Sequence, residues 1–281
     1  MYVVIGATGN VGRPLVSLLA SAGDPVTAVS RGRRPAAPDG VRHRRADLER
    51  PQSLRPALDG AEALFLLVEG AGAHLDMPEI LRVAVSAGVK RLVLQSSQAV
   101  RTRPGAASHA PLAAIEELVR QSGLGWTILR PGGFASNALA WAEPIRAGRV
   151  VAAPFGDVGL PVVDPQDIAE VAAAALRDPA HDGRTYELTG PALTTPRDRV
   201  ADLAAALGEP IRFVEQTPDE ARAQMLRFMP PEVVEGTLAI LGSPAEAERR
   251  ISPDVATVLG RPPQPFAAWA ARAVDAFRAT P

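Results

Sequence analysis

Three glycines stand three residues apart in the run Gly6-Ala7-Thr8-Gly9-Asn10-Val11-Gly12. The apolar stretch Val3–Ile5 precedes them, and Leu15, Leu18, Leu19 and Ala22 follow at helical spacing. Strand, glycine turn and helix in that order make an anion cradle. Glycine lets the backbone turn tightly and approach a phosphate, while the helix start offers unpaired N–H groups and a positive dipole end. Gly6, Thr8, Gly9, Asn10, Val11 and Gly12 are therefore candidate contacts for the pyrophosphate of a dinucleotide. A tight turn with no ligand is the plainer reading of the same glycines.

A second group follows the next apolar run, Val26–Ser30. Dinucleotide folds that hold a free ribose 2′-hydroxyl place an acid here. This chain has Ser30-Arg31-Gly32-Arg33-Arg34 instead, with no carboxylate before Asp39. A 2′-phosphate would be repelled by an acid, whereas an arginine fork grips it with two hydrogen bonds. Ser30, Arg31 and Arg34 thus point to NADPH rather than NADH. A solvated loop in an arginine-rich chain is the alternative.

The elements that must position these groups are legible. Val3–Ile5, Val26–Ser30, Ala63–Val68, Arg91–Gln95, Trp126–Arg130 and Arg184–Thr189 read as strands, with helices near Met77–Ala87 and Ala110–Gln121 between them. Short, continuously apolar strands alternating with amphipathic helices predict right-handed βαβ units and a parallel sheet covered on both faces. The fold class is α/β, a Rossmann-type doubly wound sheet. Residues 1–190 form the cofactor domain, with 136–160 contributing to a substrate pocket. Residues 191–281 form a small, mostly helical lobe over it. Acidic or hydroxyl caps before proline start helices at Asp164-Pro165, Thr195-Pro196, Thr217-Pro218 and Ser243-Pro244. The last two also match the capping box.

Composition narrows the class. Of 281 residues, 30 are Lys or Arg and 31 are Asp or Glu, a net charge of −1. That balance argues against general nucleic-acid or anionic-membrane binding. Zero cysteines exclude disulfides, thiol catalysis and Cys-ligated metals, and no His/acid spacing suggests another metal site. Nothing in the sequence reads as a membrane span or a secretory leader, so a cytoplasmic protein, monomer or homodimer, is expected.

The G-x-x-G-x-x-G spacing resembles the short-chain dehydrogenase/reductase superfamily. Ala46-Asp47-Leu48, Gln95-Ser96-Ser97 and Ser122-Gly123-Leu124-Gly125-Trp126-Thr127-Ile128-Leu129-Arg130-Pro131-Gly132 narrow the likeness to its atypical, NmrA-like branch. The likeness spans nearly the whole chain and is diffuse only in the C-terminal third. It implies that Asp47 and Leu48 flank the adenine, that Val68 lies beneath ribose and nicotinamide, and that Pro131 joins the cofactor contacts. Phe134, Asn137 and Trp141 would line the substrate pocket, and Met225, Phe228 and Met229 would cap it. Asp47 as a simple turn residue, and the Met/Phe stripe as plain core, are the alternatives.

Classical members of that superfamily protonate carbonyls with a Tyr-x-x-x-Lys pair. Here Ser108 and Leu112 fall at the two positions. The only lysine, Lys90, precedes the fifth strand, and the two tyrosines are Tyr2 and Tyr186. The usual acid is absent. Ser97, with Ser96 as fallback, is the candidate to polarise a carbonyl, although a strand-end serine can equally bond local backbone. His109 is the only histidine near the expected pocket, and an imidazole titrates in the right range for proton transfer. The reading is an NADPH-dependent reductase of a carbonyl or quinone on an aromatic, polyketide-like molecule of the kind found in antibiotic pathways. Hydride transfer would proceed without the Tyr–Lys pair, the proton coming from substrate, water or His109. A non-enzymatic, NmrA-like NADP(H) sensor that binds a partner protein is the competing reading, and an isomerase or lyase use of the scaffold a third.

Overall fold

A computed structural model of the chain describes residues 1–32, 38, 40–68 and 72–278. Arg34 lies outside the described residues. The strands are β1 (Tyr2–Ile5), β2 (Val26–Ser30), β3 (Arg42–Arg45), β4 (Ala63–Leu67), β5 (Arg91–Gln95), β6 (Gly125–Pro131), β7 (Val150–Ala153), β8 (Arg184–Leu188) and β9 (Arg212–Glu215). Seven of them pair in parallel in the order β3-β2-β1-β4-β5-β6-β8. The winding reverses between β1 and β4, so a crevice opens over their carboxyl ends, beside Gly6 and Leu67. In such sheets that crevice is where ligands bind.

Alternation along the strands builds two cores. Val3, Ile5, Leu64, Leu66, Leu92 and Leu94 meet the helices Met77–Ser86 and Ala110–Arg120 on one face. Val4, Phe65, Val93 and Leu129 meet Gly12–Ser21 and Pro165–Arg177 on the other. β3 departs from the apolar pattern: its sequence is Arg42-His43-Arg44-Arg45, and its three arginines are exposed. It is an edge strand, where charge blocks further pairing.

Residues Ala135–Val162 leave the sheet and pack with Val200, Leu203, Phe266, Trp269, Ala270 and Phe277 in a third core. A short parallel pair, β7 with β9, stiffens this lobe and was not expected from the sequence. The helices Pro218–Met225 and Pro231–Gly242 form a small fourth cluster around Ala221, Val234 and Leu238. The helix Asp254–Leu259 then returns to the sheet, with Val255 in the second core and Asp254 accepting the Glu187 backbone N–H at 2.7 Å.

Helix starts follow their caps. Thr217 and Glu220 close a capping box, and so do Thr195 and Asp198, where aspartate replaces the usual longer acid. The expected start at Ser243 is corrected. That helix begins at Glu246, and Glu248 reaches back to the Ala245 N–H at 2.8 Å. Glu248 also holds Arg103 and Thr102, and those ties set the register. Among the described residues no helix is long and apolar enough to cross a membrane.

One buried carboxylate locks the site-bearing elements together. Glu116, 1% exposed, accepts from Arg130 Nε and Nη2 at 2.9 and 2.5 Å, from Arg120 at 2.7 Å and from the Ser96 hydroxyl at 2.7 Å. Burial by itself would raise its pKa; the hydrogen bonds from Arg130, Ser96 and Arg120 outweigh that and hold it below the ordinary glutamate range. A lowered folded-state pKa adds stability that is present above the unfolded value and lost as pH falls through the folded one. Glu116→Ala should therefore cost about 3–5 kcal/mol at neutral pH, the loss typical of one partner of a buried ion pair. Urea unfolding of both proteins over a pH series checks this. The gap should narrow as pH falls below about 4, and a gap that is constant or grows in acid would contradict the assignment.

Candidate active site

The glycine turn is built by close approach. Gly6 has φ +74°, the left-handed region that glycine favours, and its carbonyl accepts the Gly9 N–H at 3.0 Å. A Cβ on Gly12 would come within 2.1 Å of the Gly6 carbonyl oxygen, so helix and strand can pack only with glycine there. A Cβ on Gly9 would meet only that same oxygen, at 3.3 Å. Gly12 thus closes the fold, while Gly9 leaves its outer side open. Val11 is the N-cap residue and is buried in the second core. Asn10 turns its amide to the Ser136 hydroxyl at 3.1 Å and ties the turn to the segment after β6.

Beside the turn lies a cleft of about 260 Å³ lined by Gly6, Thr8, Ser30, Arg31, Asp47 and Leu48. Six of the expected cofactor residues converge there. The Ser30 hydroxyl sits 2.9 Å from His43 Nε2 on β3, which fixes the end of β2 beside Arg31. Asp47 is both a wall and a turn residue: its carboxylate accepts the Glu49 N–H at 3.2 Å and pairs with Arg50 at 3.5 Å.

Sequence reasoning missed several contributors. Leu67, Leu75, Glu49 and His74 complete the wall, and His74 and Glu49 approach to 3.7 Å across the mouth. They lie 25 residues apart with no motif to join them. No motif marked His43, and its role emerges from strand register, which sets it on β3 next to Ala28 of β2.

Along the crevice, β5 ends in two serines with different fates. Ser96 donates its hydroxyl to Glu116 and belongs to the buried network. Ser97 is half-buried; its oxygen accepts the Ala99 N–H at 3.2 Å, and its hydrogen has no acceptor among the described residues. Val68 is buried with Ile115 in the first core, and the carbonyl of buried Pro131 accepts the Gln98 N–H at 2.9 Å. Phe134 and Leu67 are partly buried and pack against the second core, while Asn137 is exposed. Trp141 packs into the third core under the Arg199 guanidinium, 5.8 Å from its ring centre. Met225 and Met229 pack into the small hairpin cluster, whereas Phe228 is 67% exposed at its tip.

The missing acid stays missing. Leu112 is buried in the first core, and Ser108 bonds the neighbouring His109 Nδ1 at 2.9 Å. Tyr186 pairs with His181 in the middle of β8, and burial raises the pKa of both tyrosines. His109 is half-buried at the start of the helix Ala110–Arg120. Burial pushes its pKa below the usual value against the pull of Glu248, so the imidazole is neutral at pH 7.

Comparison with known proteins agrees with this geometry. Residues 6–179 match the NAD(P)H-binding family, and the chain belongs to it. It is 38% identical over 291 residues to a (4-alkanoyl-5-oxo-2,5-dihydrofuran-3-yl)methyl phosphate reductase of Streptomyces griseus, covering 99% of each chain. It is 32% identical over 291 residues to an NAD(P)H azoreductase of Xenophilus azovorans, covering 99% of this chain and 100% of that one. An NADPH-dependent quinone oxidoreductase of Escherichia coli, solved with NADPH, shares the fold with TM-score 0.78 at 23% identity, over 97% of this chain and 99% of that one. The protein is an NAD(P)H-dependent reductase.

Two glycine substitutions should separate fold from binding. Gly12→Ala should unfold at markedly lower temperature, because its methyl strikes backbone that cannot swing away. Gly9→Val should keep its cooperative melt but lose NADPH binding, since the new side chain occupies the anion's space. Thermal unfolding and calorimetric titration of both variants check this. Normal NADPH affinity in Gly9→Val would make the turn purely structural.

Proposed function

We propose that this family member uses NADPH in preference to NADH and reduces a conjugated acceptor, a quinone or an aromatic carbonyl of the polyketide kind. The observation that carries the reading is the pairing of Ser97, whose hydroxyl keeps its hydrogen at the crevice, with the lack of any tyrosine or lysine there. Bound NADPH would supply the hydride. Ser97 would donate its hydroxyl hydrogen bond to the acceptor oxygen as negative charge builds on it. Leu67, Val68 and Phe134 would supply the dry wall along which a flat acceptor lies.

The acceptor's own chemistry then decides how much acid is needed. Adding hydride to a quinone or conjugated carbonyl leaves a phenolate or enolate, whose charge is spread over the π-system and which water can protonate. The relatives' named substrates, an oxo-dihydrofuran, azo compounds and a quinone, are all conjugated acceptors, which supports extending that class to this chain. A neutral, half-buried His109 is poorly suited to act as a strong acid above its lowered pKa. The proton is assigned to water or to a hydroxyl on the substrate.

NADPH consumption against quinones, hydroxylated aromatic ketones and their methylated analogues, with products identified, tests the reading. Quinones and hydroxyketones should turn over, and methylated ketones should not. Ser97→Ala should lose roughly 10–100-fold in kcat/KM, the worth of one hydrogen bond to developing charge. His109→Ala should lose less than about tenfold, with a rate flat in pH above the imidazole range. A loss of about 10³-fold or more in His109→Ala, of the size a true general acid gives, would place the acid on His109 instead. Cofactor choice is checked separately. Arg31→Asp should weaken NADPH binding by roughly 10–100-fold and spare NADH, and equal wild-type affinity for both cofactors would refute the preference.

A further inference from the structure

The other partly buried arginines among the described residues meet carboxylates. Arg91 pairs with Glu62 at 2.8 Å, Arg103 with Glu248 at 2.8 Å, Arg130 with Glu116 at 2.5 Å and Arg261 with Asp167 at 2.8 Å. Arg199 does not. It is only 8% exposed in the first turn of the helix Pro196–Leu207, and its one hydrogen bond to a described residue runs from Nε to the Thr195 carbonyl at 3.3 Å. Asp198, the acid whose charge bears on it, already accepts the Thr195 N–H and hydroxyl at 2.9 and 2.7 Å. Burial lowers the Arg199 pKa to about 10, which leaves it a cation at neutral pH.

A desolvated guanidinium with no anion is costly, and proteins rarely keep one. The terminal nitrogens of Arg199 are also open. The sealed side-chain atoms without a hydrogen bond among the described residues are Arg91 Nε, Gln95 Oε1 and Asp167 Oδ1, the last met by Arg261 as an ion pair, and none belongs to Arg199. Its outer N–H groups therefore face space that solvent reaches, with the Trp141 ring as one wall.

The segment that carries Trp141 begins at the sheet's carboxyl edge. Trp141 ends the segment Phe134–Trp141 that leaves β6 at the carboxyl edge of the sheet. Gly133 and Ala135, at the start of that segment, bond Val163, and Leu160 bonds Thr194 just before the Arg199 helix. Backbone hydrogen bonds thus connect the chain that leaves β6 toward Trp141 with the chain that leads into the Arg199 helix.

We propose that Arg199 is the seat for an oxyanion, a phosphate ester or a carboxylate, carried by the substrate at a distance from its reacting end, with Trp141 as the apolar side of the seat. The planar fork can grip two oxygens of such a group at once, and an arriving anion neutralises a charge that the fold leaves uncompensated. The word substrate rests on the reductase reading above; the anion seat itself does not.

Phenyl phosphate titrated into the full chain saturated with NADP⁺ is the test, followed by calorimetry and by tryptophan fluorescence. Saturation keeps the probe out of the cofactor's own phosphate contacts. Wild type should bind one equivalent and change its fluorescence, and phenol at the same concentrations should do neither. Arg199→Met should bind at least tenfold more weakly while retaining NADPH affinity. Should that variant fail to fold, Arg199→Lys keeps the charge without the fork and should still bind severalfold more weakly. Trp141→Phe should bind the probe by calorimetry with the fluorescence change lost. No binding by wild type, or undiminished binding in the folded Arg199 variant, would overturn the seat. An absence of turnover with every acceptor would instead remove the reductase reading and leave these titrations unaffected.

Discussion

The site depends on one close approach, the helix Gly12–Ser21 against the carbonyl of Gly6. At that point no side-chain carbon fits, and the missing atom lets the helix start aim its free N–H groups over the end of β1. The strand order reverses between β1 and β4, beside that end. Crevice, anion cradle and cleft wall therefore share a single geometric cause. Had the helix stood further out, Thr8, Ser30 and Asp47 could still line a groove, but no helix terminus would face a phosphate within it.

Around this frame the chain is fastened mainly by arginine. Arg103 ties the segment after β5 to the C-terminal lobe through Glu248 and through the carbonyls of Ala239 and Ser243. Arg261 and Arg272 return from late in the sequence to Asp167 and Asp164, at the start of the helix Pro165–Arg177. Each fork satisfies several acceptors at once, which lysine's compact ammonium does less well. Buried pairs of this kind add little net stability against apolar packing, but they are expensive to break and specify one arrangement. The lobe is thus positioned by directional bonds where it meets the sheet and by its own apolar core away from it. Against that background an arginine left without a carboxylate stands out.

Most of the fold was legible because local pattern and burial agree. Strands buried on both faces read as apolar runs, and the glycine turn sat in the only context that gives it meaning. Legibility failed where neighbours supply the reason for an element. β3 is four basic residues, and nothing in Arg42–Arg45 marks a strand until β2 pairs with it. β7 and β9 are four residues each, lie some sixty residues apart, and exist only as partners. The cleft divides in the same way. Gly6, Thr8 and Arg31 were legible from spacing, whereas His43, Glu49 and His74 entered through register and loop packing. Ser97 is preferred to Ser96 on resemblance alone, because the physical difference between them, which one faces Glu116, is set by packing.

The absent Tyr–Lys pair is more than a deletion, because the structure has refilled the positions. Leu112 is part of the sheet's core, Ser108 is turned to His109, and helix Pro231–Gly242 sits so close that a Cβ on Gly236 would lie 3.0 Å from the Ser108 hydroxyl. The helix Ala110–Arg120, which follows Ser108 and carries Leu112, is pinned through Glu116 to Ser96 after β5 and to Arg130 on β6. On the proposed reading, a reductase built this way would give up strong protonation at the acceptor and keep what the same elements still provide, a hydroxyl at the strand end and an apolar wall. Such a site would distinguish acceptors by electronic demand. Where the reduced form delocalises its charge, one hydrogen bond would be sufficient, and where the charge would sit on a lone alkoxide, the scaffold would have nothing to offer it.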